Sequence, residues 1–154
     1  MIITSDGYTF LQRRSHQTMT YPNMLGPSAS GLMNMTADPS LKPNPFNAIR
    51  LEIQEELLIE PTEITDLKYL ALTRELRRAG KPEMFFIART SLDLSKVLRR
   101  FEERPRDARE TEALVEIAID NVKEPLREDN MSLAAKANTY FLLHYLKATK
   151  GHFS

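Results

Sequence analysis

Glu52, Glu55 and Glu56 lie in the stretch LEIQEELLIEP (51–61), spaced i, i+3, i+4. At 3.6 residues per turn this spacing gathers three carboxylates on one helix face. Carboxylates held so close repel one another. A hard divalent cation such as magnesium or manganese relieves that repulsion and prefers oxygen ligands. The plainer reading is a charged helix face in water, because Glu is a good helix former and exposed Glu pairs are common. The three glutamates fall beside the apolar stripe Ile49, Ile53, Leu57 rather than opposite it. They are therefore expected at the edge of the packed surface, where a pocket can form.

The helix that carries them is expected to start at Asn44, a good N-cap, with Pro45 in its first turn and Pro61 as its stop. Upstream, GYTFLQRR alternates as a strand, with Tyr8, Phe10 and Gln12 facing one way and Thr9, Leu11 and Arg13 the other. SHQTMTYPNMLGPSAS is rich in turn formers and reads as a loop. GLMNM (31–35) reads as a short second strand. Pro39, Pro43 and Pro45 make TADPSLKPNPFN irregular. Downstream, TDLKYLALTREL and EMFFIART form a hairpin around RRAGKP. Leu94, Val97, Leu98 and Phe101 follow helical spacing. ERPRDARET is a charged loop, ALVEIAI a strand, and Ser132 caps a last helix, LAAKANTYFLLHYLKATK, with Gly151 just beyond it. This order predicts a single α/β domain over residues 1–154, a sandwich with a mixed central sheet. The chain begins directly at its first clear strand, so any earlier element of the fold is expected to be missing or supplied by a partner.

Composition narrows the function classes. The 154 residues suit one core. With no cysteine there is no disulfide, thiolate metal site or cysteine nucleophile, which fits a cytoplasmic protein. The 21 basic and 21 acidic residues balance, so no broad attraction to a nucleic acid polymer or an anionic membrane is expected. No apolar run approaches the length that spans a bilayer. An anionic ligand must be caught locally.

The segment LEIQEELLI resembles the second half of the Nudix box, G-x5-E-x7-R-E-U-x-E-E-x-G-U with U a bulky aliphatic, the signature of Nudix hydrolases. Glu52 matches the Glu of the R-E pair, Ile53 the aliphatic, Glu55 and Glu56 the E-E pair, and Ile59 the last aliphatic. Gly31 resembles the glycine that opens the box. The resemblance implies an α/β/α sandwich in which Glu52, Glu55 and Glu56 bind Mg2+ (or Mn2+), joined by the Gly31 backbone carbonyl. Three departures accompany it. Leu51 stands where the family has the Arg that holds the glutamates by hydrogen bonds. Leu58 stands where the family has Gly, so the turn after the helix is expected to differ. Gly31 to Glu52 spans 21 positions (52 − 31) where the signature has 15, and Asp38 is only a loose stand-in for the Glu of the front half.

What the resemblance implies is metal-dependent hydrolysis of a nucleoside diphosphate linked to another moiety, for example a nucleotide sugar or ADP-ribose. The proton of the attacking water would go to one of these glutamates or to Glu112, with Glu110 an equal rival for that role. Arg13 or Arg14 could contact the diphosphate, since Arg matches phosphate geometry. Arg74, clustered with Arg77, Arg78 and Lys81 at the hairpin, is read either as a solvated turn residue or as a substrate contact. A homodimer is implied as well, since many family members pair. His16, His144 and His152 stand isolated. The competing class is a catalytically impaired domain of the same fold that binds a nucleotide or serves regulation or protein interaction.

Overall fold

The structure is a computed structural model, and it describes residues 1–31, 43–104, 110–127 and 129–150. In chain order the elements are β1 (Ile2–Ile3), β2 (Tyr8–Arg14), β3 (Leu25–Gly26), α1 (Pro45–Leu57), β4 (Ile64–Glu75), β5 (Lys81–Thr90), α2 (Leu94–Glu103), β6 (Thr111–Ala118) and α3 (Leu133–Lys150). The strands make one six-stranded mixed sheet, in the order β3-β2-β1-β5-β4, with β6 also on β2. β1 runs parallel to β5, with Ile2 opposite Ala88. The other pairings are antiparallel. β6 lines β2 from Tyr8 to Arg14, so β1 and β3 share its other edge.

Period-two alternation splits the core into two layers. Ile2, Phe10 and Ala88 face Ile53, Leu57, Leu94, Val97 and Phe101 of α1 and α2. Their chain neighbours Ile3, Leu11 and Ile87 face Ala135 and Leu142 of α3. The result is an α/β sandwich with helices on both faces of a mixed sheet. Each fully buried side chain of the size of Phe10 or Leu57 stabilises it by about 1.5–3 kcal/mol.

α1 begins as its sequence dictates. Asn44 Oδ1 accepts from the Phe46 and Asn47 backbone N–H groups, and Pro45 fills the first position. Its end departs from expectation. Leu58 keeps a left-handed conformation (φ 55°, ψ 33°), although a different turn is expected for a residue with a Cβ. The reason lies on α2. Arg100 Nη1 donates to the Leu58 carbonyl at 2.8 Å, and the same guanidinium grips Glu63 with both nitrogens. Arg104 Nη1 donates to the Glu56 carbonyl at 2.5 Å. Two cations thus satisfy carbonyls that the helix end leaves open, where the helix dipole also favours positive charge.

The strand expected over 31–35 falls largely on residues 32–42, outside the described residues, as does Asp38. The strand of this region is β3, inside what reads as a loop. It is only two residues long and is flanked by turn formers, so it shows no periodicity. β1 precedes the first strand expected from the sequence, and is joined to it by a tight turn with Gly7 at φ 83°. The hairpin, α2, β6 and the Ser132 cap of α3 form where expected; the Ser132 hydroxyl accepts from the Ala135 N–H. No helix among the described residues is long and apolar enough to cross a membrane.

Candidate metal and substrate site

Glu52 and Glu56 are one turn apart on α1, at the rim of the core layer that buries Ile53 and Leu57. Gly31 lies against Glu52. A Cβ built on Gly31 would fall 1.7 Å from the Glu52 carboxyl carbon and 1.8 Å from Oε1. Position 31 therefore admits no side chain while Glu52 keeps this rotamer, and the Gly31 backbone sits directly on that carboxylate.

Glu56 is held from the other side. Its Oε2 accepts from Gln12 Nε2 at 2.9 Å and from the Ser30 backbone N–H at 3.2 Å. Gln12 Nε2 also donates to the Ser28 carbonyl at 2.8 Å, and Thr111 Oγ1 donates to Gln12 Oε1 at 2.6 Å. Burial pushes the Glu56 carboxyl up to about 7, and repulsion from Glu52 adds to it. The bonds from Gln12 and Ser30 and the nearby Arg104 guanidinium act the other way without overcoming burial.

The third glutamate of the pattern does not join the pair. Glu55 is exposed. It is 100° around the helix from Glu56, enough at the rim to turn it to solvent. Among the described residues no group of three or more His, Asp or Glu is disposed to hold a metal. What gathers is two carboxylates and the Gly31 backbone. All are hard oxygen donors, and magnesium is commonly held by one or two carboxylates, with waters and substrate phosphates completing its shell. The donor set fits that cation.

The other expected site residues lie elsewhere. Arg13 is on the α3 side of β2, opposite Gln12, where it lines a cleft of about 400 Å³ with Leu11, Leu25 and Val115. Arg14 is engaged, donating to the Thr20 carbonyl at 3.0 Å and lying 3.7 Å from Glu110. Arg74 is exposed near the turn of the β4–β5 hairpin, beside a smaller cleft with Glu75, Glu83 and Leu133. Glu112 belongs to β6 rather than to a loop. It is the extra residue where the β2–β6 register shifts, between Thr111 opposite Arg14 and Ala113 opposite Arg13. There it accepts from the His16 backbone N–H and lies 3.3 Å from His16 Nδ1, contacts that hold its carboxyl below the usual range. His16 is thus not isolated. The His144 ring lies 4.4 Å from that of Tyr140, and His152 is outside the described residues.

Sequence reasoning passed over Gln12, Ser28, Thr111 and Arg104. Gln12 carried a usable signal, because it shares a face with Tyr8 and Phe10, and a polar residue on a buried strand face needs partners. Leu51 is exposed.

No family model and no curated protein matches this chain. A solved structure does: DR0079 from Deinococcus radiodurans, at 15% identity, superimposes with a TM-score of 0.60 over 90% of this chain and 76% of that one. At that identity the likeness is one of fold, and it supports the α/β architecture described above.

Proposed function

We propose that this chain is a divalent-metal-dependent hydrolase of a nucleoside diphosphate linked to another moiety, such as a nucleotide sugar or ADP-ribose. One observation carries the reading: the Glu52 carboxylate lies so close on Gly31 that a Cβ would overlap it, with the partly buried Glu56 carboxylate one turn away. The Nudix-like pattern that predicts a glycine beside these glutamates supports it. When bound, Mg2+ or Mn2+ would neutralise charge on the diphosphate and lower the pKa of a water. Glu52 and Glu56 would hold the cation, and Gly31, having no side chain to displace the Glu52 carboxylate, would leave room for it. The water oxygen attacks one phosphorus, its proton passes to Glu52 or Glu56, and the bridging oxygen leaves with the other phosphate. Both products end in phosphate. Glu55, Glu112, Arg13 and Arg14 have no part in this version. A homodimer and a cytoplasmic location belong to the same proposal; light scattering tests the first.

The second reading is a catalytically impaired domain that binds nucleotide or serves regulation. The exposed Leu51 and Glu55 favour it, because two features of the intact pattern are then out of place. Calorimetry separates the readings. Mg2+ and Mn2+ are titrated into the native protein and Glu56→Gln, with and without ADP-ribose and UDP-glucose, and the same samples are assayed for phosphate-ended products. Metal binding lost in the variant, with turnover in the native protein, supports the hydrolase. Nucleotide binding without turnover supports the second reading. Absence of metal binding even with nucleotide present removes the enzyme.

A further inference from the structure

We propose that Thr111 and Gln12 form a positioning relay that aims the Glu56 carboxylate, a task that in the resembled pattern belongs to an Arg where this chain has Leu51. The inference rests on the reading of Glu56 as a metal ligand, but its geometry is independent of any metal. Gln12 is 3% exposed, Thr111 6% and Ser28 0%. In such a place every polar atom needs a partner. The Ser28 carbonyl can only accept, so the nitrogen of the Gln12 amide must face it. Glu56 Oε2 takes the second proton of the same nitrogen. The amide oxygen then points to β6, where the Thr111 hydroxyl donates to it. A flipped amide would set its oxygen against both the Ser28 carbonyl and the Glu56 carboxylate. Three separate parts of the chain, β2, β6 and the loop through Ser28 and Ser30, thereby fix one carboxylate oxygen from two directions.

Leu51, more than half exposed, cannot do this. Arg104 reaches the same turn of α1, where its Nη1 donates to the Glu56 backbone carbonyl and so fixes the helix end. Thr111 touches neither Glu56 nor a ligand. It acts through Gln12, as a positioning residue. Such outer partners typically change metal affinity by about 10–100-fold.

The test compares Thr111→Val, which keeps the shape and removes the donor, with Thr111→Ser, which keeps the donor. Gln12→Leu removes the amide and identifies its NMR signals by their loss. Two quantities are read. The first is hydrogen exchange of the Gln12 side-chain NH2 in protein free of metal. The second is Mn2+ affinity from the free-ion EPR signal. We expect slow NH2 exchange in the native protein, at least about tenfold faster in Thr111→Val and restored in Thr111→Ser. Mn2+ affinity should fall about 10–100-fold in Thr111→Val and Gln12→Leu and return in Thr111→Ser. Unchanged exchange in Thr111→Val overturns the relay. So does Mn2+ affinity that stays native in both Thr111→Val and Gln12→Leu while only global stability falls. A native protein that binds no Mn2+, while exchange follows the predicted order, supports the relay and removes the metal reading instead.

Discussion

Replacing Glu56 by Gln should make the metal-free protein more stable above neutral pH and leave it nearly unchanged in mild acid. Burial raises the Glu56 carboxyl from 4.5 to about 7. Between those values the folded protein keeps the proton and the unfolded chain has released it. Stability therefore falls as pH rises through that window and levels off above about 7. At 1.36 kcal/mol for each tenfold change in proton affinity, the full loss is about 3 kcal/mol. A neutral amide of the same shape carries no such penalty. Its oxygen can still accept from Gln12 and Ser30, but its NH2 carries one proton more than the carboxylic acid and needs an acceptor for it, which lowers the gain by about 1 kcal/mol. Glu56→Gln should then exceed the native protein by about 2 kcal/mol at pH 8, or about 4–8 °C in Tm for a chain of this size. At pH 5 the two should agree within about 1 kcal/mol. Urea unfolding in EDTA at both pH values measures it, and Mn2+ at pH 8 should restore the native protein alone. An equal offset at the two pH values, or a variant less stable at pH 8, would refute the burial argument.

Other perturbations probe the neighbouring contacts. Gly31→Ala should weaken Mn2+ binding at least about tenfold, since its Cβ displaces the Glu52 carboxylate. Because Gly31 is exposed and the displaced atoms end a flexible side chain, its Tm should shift by no more than about 2 °C. Arg100→Ala should cost about 1–2 kcal/mol in urea unfolding, as the Leu58 carbonyl and Glu63 lose their donor, and Arg100→Lys should recover only part of it. Tyr21→Phe should cost about 1–3 kcal/mol by the same assay, because Tyr21 donates to the buried Glu75 carboxylate, whose other oxygen already lacks a hydrogen-bond partner.

The parts legible in the sequence were those set by local chemistry. Asn44 and Pro45 announce α1, and the Ile53 and Leu57 spacing announces the face it buries. The hairpin, α2 and β6 follow from periodicity alone. β1 and β3 were hidden because two residues have no period; only pairing with β2 and β5 makes them strands. Leu58 misled because left-handed geometry is costly for Leu, by about 1–2 kcal/mol. The compensation comes from Arg100, 42 residues away in sequence. The pairing of Glu52 with Glu56 was visible in their spacing, whereas the exposure of Glu55 depends on where the core ends, which spacing does not state. Alternation did say that Arg13 and Gln12 oppose each other. It could not say which face holds the glutamates.

The bonding of Glu56 bears on the proposed function. A buried carboxylate kept for stability is usually matched by a cation, because an uncompensated charge in a low-dielectric place costs several kcal/mol. The carboxylate of Glu56 is held by neutral donors, the Gln12 amide and the Ser30 N–H. Arg104 is near enough to favour the charged form, yet burial outweighs it and Glu52 adds repulsion. Gln12, for its part, already has the Ser28 carbonyl, and its second proton could have met another neutral acceptor at no such cost. A fold selected for stability alone would have closed this network with apolar or neutral groups. The network instead orients a carboxylate that remains under-neutralised beside a glycine that leaves room. Under the proposed function a divalent cation, which prefers oxygen ligands, would supply the positive charge that this carboxylate has in only small measure from Arg104.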